Sequence, residues 1–346
     1  MVAAGTVLNG RQKDMNRPNR RPPEPGDGGP DGPGDEFALI GRLRARFEDG
    51  EVPPPGEVWI GDDAAVVAAR PGPLLLATDL VVAGIHADLD LVAPDDLGWK
   101  AVMVTVSDLA AMGARPDHLL LSVAAPPGTD IGLVAEGVAT AAAATGCRVV
   151  GGDLSAAPVL TVSVAATGSL HGPLLPGPRL RSGARPGDVL LVTGPLGASA
   201  AGLRILRAGS DGGPSSAEGV ADAVDAHRRP VARIEEGEVA RLAGVTATVD
   251  VSDGLVAEVR LLAGASGVGV ELDGVPAAAA ATRAEALGGG EEYELVVATP
   301  DPDGLVRAFA AAGLRAPLRL GRCTDDTGRL TLDGAPLPAA GWRHRF

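Results

Sequence analysis

The chain has 346 residues, 45% of them hydrophobic but only 2% aromatic, and a formal net charge of −14. Its length favours two domains, and its apolar content excludes a wholly disordered protein. Such acidity excludes general binding to nucleic acid or an anionic membrane, while leaving anionic ligands open where cations screen the acids. Ala, Val, Leu and Gly carry the apolar content, the palette of a layered α/β protein. Cys147 and Cys323 are the only cysteines and form no CxxC. Neither a disulfide framework nor a thiolate zinc site is expected, which suits a reducing, cytoplasmic location. No apolar run reaches the ~20 residues of a membrane span, and no apolar stretch follows the charged N-terminus, so no secretory signal is expected.

Residues 1–35, rich in Pro, Gly, Arg and Asp, read as a disordered tail with too little apolar surface to offset ordering. Phe37, Ile40, Leu43 and Phe47 then fall at helical spacing. The stretches "VWIGDDAAVVA" (58–68) and "PLLLATDLVVAG" (73–84) read as strands broken or ended by acids. A helix is expected over 93–114, opened by Pro94 and Asp95 and closed by Gly113 and Pro116. A strand at 118–126, an Ala-rich helix at 130–145 and a strand at 158–170 follow. A boundary is expected near 171–180, giving domains 36–172 and 173–346. Beyond it come a strand at 187–194, a helix at 196–209 and a loop over 209–220. Residues 246–267 read as strand, acidic turn and helix; 292–300 is a strand and 303–313 a helix. The two α/β layers are expected to be of comparable size.

Acids punctuate these apolar runs: "GDDAA" at 61–65, "ATD" at 77–79, "SDLAAMGA" at 107–114, "GGD" at 151–153 and "VDVSDG" at 249–254. There is no GxxxxGK[ST] loop, no GxSxG elbow, no HExxH helix and no protein-kinase set. What remains is a set of carboxylates at strand ends and turns, where α/β proteins build sites. All-oxygen donors suit hard cations such as Mg²⁺, the usual partner of nucleotide phosphates. Asp108 is expected to face inward from its helix towards acids on the strands, since an uncompensated carboxylate there would be costly. Spacing and composition lead as far as a metal-dependent α/β protein.

Seven stretches in order, "GDDAAVV", "TDLVVAGIH", "DLGWKAVMVTVSDLAAMGARP", "GGDLS", "RSGARPGDVLLVTGPLGASAAGL", "VDVSDGLVAEV" and "GGGEEYEL", resemble the thiamine-monophosphate kinases of the aminoimidazole ribonucleotide synthetase-like superfamily. The resemblance covers about 37–346. It implies a two-domain α/β fold of the α+β type, with an N-terminal α/β domain that forms a homodimer and binds ATP and Mg²⁺. A C-terminal α/β domain would complete the active site. The implied reaction is phosphorylation of thiamine monophosphate by ATP with several Mg²⁺ ions. By the same resemblance the metal ligands would be Asp63, Thr78, Asp79, Asp108, Asp153, Asp250 and Asp253. ATP would meet Gly152, Asp153, Arg181 and Ser252, with Gly151 and Gly152 forming a turn that admits phosphate. The thiamine substrate would meet His86, Glu291 and Trp342. No general base, nucleic acid or membrane partner is implied. Ala87, Leu154 and Glu292 depart from the family's usual residues, and no role is assigned to "AHRRPVAR" (226–233). The alternatives are a superfamily enzyme with another acceptor, or a non-catalytic binder of nucleotide or thiamine diphosphate.

Overall fold

The computed structural model describes residues 36–173, 176–209 and 219–342. The tail expected over 1–35 and most of the loop expected over 209–220 lie outside the described residues. The chain falls into two compact units that meet in sequence at Arg42 and Leu43. Within the first helix, α1 (Glu36–Glu48), the later turns belong to the second unit, which carries all else described below.

A first sheet gathers β1 (Leu75–Val82), β2 (Arg115–Ala125), β3 (Arg148–Ala156) and β4 (Thr161–Ser169), in the order β1-β4-β2-β3. β4 is antiparallel to both neighbours, and β3 runs parallel to β2. Helices α2 (Pro94–Ala111) and α3 (Ile131–Thr145) belong to the same part of the chain, and α2 packs on β1 and β4. Leu75, Val81, Leu97, Val106, Val134, Val138 and Val162 close that core. The opposite face is left open: along β1 the odd-numbered residues turn inward and Leu76 and Leu80 outward, as a period of two requires.

The second sheet is larger, a departure from the equal layers expected. It collects β5 (Val189–Val192), β6 (Ala247–Asp250), β7 (Gly269–Leu272), β8 (Leu295–Thr299), β9 (Leu318–Thr324), β10 (Leu330–Leu332) and β11 (Ala335–Pro336), in the order β11-β10-β7-β9-β5-β8-β6. Its helices are α4 (Ala198–Arg207), α5 (Val220–Arg228), α6 (Ile234–Leu242), α7 (Leu255–Ser266), α8 (Arg283–Gly288) and α9 (Pro302–Ala311). One core joins the sheet to α7 and α8; another joins it to α6 and α9. β8 is buried along its whole length and reads as a continuous apolar run.

α2 ties the two sheets together. Pro94 starts it, Asp95 and Asp96 suit the positive end of its dipole, and apolar residues surround nearly its whole girth, the pattern of a buried central helix. The unassigned 226–233 motif clamps its first turns. Arg229 pairs with Asp95 and Asp96, and the Trp99 indole donates to the Pro230 carbonyl at 2.7 Å. Ala232 sits in the first sheet's core.

Two further expectations are corrected. Residues 58–68 form no ladder strand; only the bridges Val58–Val66 and Ile60–Asp62 occur, because the acids at 62 and 63 interrupt the run. Gly151 and Gly152 do not form a turn. They lie inside β3, an edge strand, beside a register shift in its pairing with β2.

Candidate functional site

The site is built on the joint between the sheets. Asp79 projects from the inward face of β1, Asp108 from near the C-terminal end of α2, and Asp250 ends β6. Asp250 is only 2% exposed, and the Ser107 hydroxyl donates to its Oδ2 at 2.7 Å. Burial pushes the Asp108 carboxyl up to about 6, with the charge of Asp79 adding to the effect and Arg181 opposing it. Burial pushes Asp250 to about 6 as well, reinforced by Asp108 and opposed by Ser107 and Arg181. Asp79 is raised by burial and by Asp250. Three carboxylates from three distant segments therefore repel one another at one joint.

A divalent cation would relieve this repulsion. Asp79 Oδ2 is buried with no hydrogen-bond partner, a cost that an oxygen-seeking ion would remove. Among the described residues, however, no group of three or more His, Cys, Asp or Glu side chains stands placed to hold a metal ion. The other expected ligands show why. Asp63 is exposed in the 61–64 turn, its N–H bonded to Asp62 at 2.8 Å. Asp153 is exposed on β3, opposite Ser122. Thr78 points to the other face of β1 from Asp79, and its hydroxyl donates to the Val164 carbonyl at 3.1 Å. Asp253 lies in the turn after β6, and its N–H donates to Glu258 at 3.3 Å.

Arg181 is exposed, yet its charge reaches Asp108, Asp250 and Glu258. Gly152 is required where it stands: a Cβ there would lie 1.9 Å from the Leu121 carbonyl oxygen. Ser252 is half-buried, with its hydroxyl 3.4 Å from Glu258.

Two of the residues expected to meet the acceptor, Glu291 and Trp342, gather at the acidic turn through a second loop, 289–294, and the C-terminal segment. Main-chain bonds lash it to the acidic turn: Glu291 N–H donates to the Ser252 carbonyl at 2.7 Å, and Tyr293 N–H to Val251 at 2.9 Å. The Trp342 N–H donates to the Asp253 carbonyl at 2.9 Å, which brings the C-terminal aromatic to the same turn with 53% of its surface open. His86 lies on the loop after β1, where its Nδ1 accepts from the Val82 N–H at 3.0 Å. Glu291 and Tyr293 both hold left-handed backbone, φ 63° and 52°, strain that clusters at functional loops.

Several participants lie inside the quoted stretches, but the sequence gives them no role. Lys100 is fully buried and donates to both Glu291 oxygens, at 3.1 and 3.0 Å. Glu258 Oε2 is buried without a partner beside the acidic turn, and burial with Asp250 lifts this carboxyl to about 7. Glu292 accepts from the N–H groups of Ala198 and Ser199, both at 3.1 Å, capping α4, whose N-cap Gly197 has no side chain to do so. Ala87 is buried in the first core, and Leu154 packs against it.

Residues 61–170 match the AIR synthase related protein N-terminal domain, and 185–333 its C-terminal domain. The chain is 36% identical over 324 residues to the thiamine-monophosphate kinase of Mycobacterium tuberculosis, covering 89% of this chain and 91% of that one. The chain belongs to the thiamine-monophosphate kinase family. A thiamine-monophosphate kinase from Stenotrophomonas maltophilia K279a superposes with a TM-score of 0.75 at 31% identity, over 87% of this chain and 97% of its own. AaThiL, solved complexed with AMPPCP and TMP, gives 0.70 at 30% identity, over 90% and 97%. The two-domain α/β architecture expected of the family is the one observed. Among the described residues no helix is long and apolar enough to cross a membrane.

Proposed function

We propose that this chain transfers the γ-phosphoryl group of ATP to thiamine monophosphate, giving thiamine diphosphate and ADP, as a cytoplasmic homodimer that uses Mg²⁺. The observation that carries the reading is the meeting of Asp79, Asp108 and Asp250, whose mutual repulsion calls for cations. Kinship with thiamine-monophosphate kinases and the complex of AaThiL with AMPPCP and TMP support the choice of substrates.

Asp79, Asp108 and Asp250 would hold Mg²⁺, and Asp63, Thr78, Asp153 and Asp253 join the proposed set by family resemblance alone. What Mg²⁺ supplies at such a site is neutralisation of phosphate charge and an in-line arrangement of donor and acceptor. Arg181 adds guanidinium donors to the nucleotide phosphates, and Gly152 and Ser252 line the same approach. Glu291, His86 and Trp342 receive the acceptor, the indole offering a flat face to a cationic ring. No residue need act as a strong base, because the attacking phosphate oxygen is already mostly ionised near neutral pH, its second pKa being about 6.

The full chain, supplied with ATP, thiamine monophosphate and Mg²⁺, should form thiamine diphosphate and ADP in equal amounts, and none in excess chelator. No product at saturating substrates and metal overturns the reading. ADP release that requires a different acceptor points instead to another superfamily activity.

A further inference from the structure

Lys100 has no counterpart in the chemistry above. It is one of only two lysines in the chain, the other being Lys13, and it is wholly buried on α2, the helix shared by both halves. Its ammonium contacts both Glu291 oxygens, 191 positions away in sequence. Removing such a cation from water is costly, and stability alone would be served as well by a Met or Leu of similar volume. The pairing therefore calls for a reason beyond folding.

The geometry around the pair gives one. The backbone of Glu291 is fixed by its bond to Ser252 and by its left-handed φ, whereas its carboxylate is 28% exposed and is not enclosed by packing alone. His227 stands 3.6 Å from the same carboxylate and 3.2 Å from the Ser199 hydroxyl. Burial and the neighbouring Lys100, Arg207 and Arg228 charges hold this imidazole down to about 3, so it is neutral and does not compete as a cation. Lys100 is thus the group that fixes the direction of the carboxylate. Ser107, seven residues further along α2 and hence on the same face, does the corresponding work for Asp250 at 2.7 Å. One rigid helix sets both the phosphate-side acid and the acceptor-side acid, from two of its residues ~10 Å apart along its axis at 1.5 Å per residue.

We propose that Lys100 is a positioning residue for the acceptor: it holds the Glu291 carboxylate across the joint in the orientation that meets the substrate. This rests on Glu291 contacting thiamine monophosphate, as proposed above. Lys100→Met keeps the volume and removes the charge. It should raise KM for thiamine monophosphate by about tenfold or more, as loss of a charged hydrogen bond would, while KM for ATP stays within about twofold. Glu291→Gln should act alike, and the double variant should be no worse than either single one, because both remove one interaction. A purely structural role would instead lower the thermal midpoint and kcat and move both KM values together. Should Lys100→Met not fold, Lys100→Gln takes its place under the same criteria. An unchanged acceptor KM in a folded variant overturns the proposal, as do effects of the two substitutions that multiply. A wild-type chain that forms no thiamine diphosphate overturns the proposed function and this inference together, and the wild-type control shows which has failed.

Discussion

Glu292 shows how one side chain can take on a local duty at a cost that depends on pH. Its carboxylate caps α4, yet burial pushes it up to about 7, above an unfolded value near 4.5, with the N–H groups of Ser199 and Ala198 opposing the shift. Between those two values the folded chain holds a proton that the unfolded chain releases. Stability from this group is therefore fully present below about pH 4.5 and is lost as pH rises to about 7. Glu292→Gln keeps an oxygen for the α4 N–H groups and removes the titration. The variant should lose much of the fall in urea midpoint between pH 5 and pH 8, on the order of 1–3 kcal/mol. An identical fall in both proteins would show that the carboxylate is not held against its charge.

α2 was legible in the sequence because its signals are local: Pro94 at the start, Gly113 at the end and an apolar run between. The inward aim of Asp108 was legible too, since a carboxylate amid such a run needs company. What escaped depends on partners remote in sequence. Lys100 looks like any helical lysine until Glu291 is brought to it. β3 was hidden because Gly-Gly-Asp reads as a turn, whereas pairing with β2 overrides that preference. The glycines of α2 and α3 are legible only as helix weakeners, but the packing explains them. A Cβ on Gly137 would fall 1.7 Å from the Asp95 carbonyl oxygen, and one on Gly98 would fall 2.0 Å from that of Val134. The backbones touch, so neither can yield by a rotamer change. Gly137→Ala, which by propensity alone should stabilise α3, is expected to destabilise the protein by about 1–3 kcal/mol through overpacking. Urea unfolding decides the sign, and a gain in stability would mean that the two helices separate at little cost.

The proposed homodimer would account for the remaining open surface. The first sheet buries one face under α2 and leaves the other with Leu76 71%, Leu80 50% and Leu120 47% exposed. An apolar concavity of about 400 Å³, lined by Val67, Leu76, Leu120 and Val150, lies on the same part of the sheet. A monomer rarely leaves leucines at several neighbouring outward positions of one sheet. A second copy of the chain would cover such a face without any further partner, because a two-fold axis would set the same patch against itself. Sheets packed face to face in this way place their side chains in a layer about 10 Å thick. Leu76→Glu with Leu120→Lys puts charges into that layer while leaving the α2 side of the sheet untouched. The wild type should run as a dimer by light scattering, and the double variant as a monomer with its far-UV spectrum retained. A wild type that is monomeric at micromolar concentration removes the homodimer. A variant that stays dimeric removes this face as the place where the copies meet.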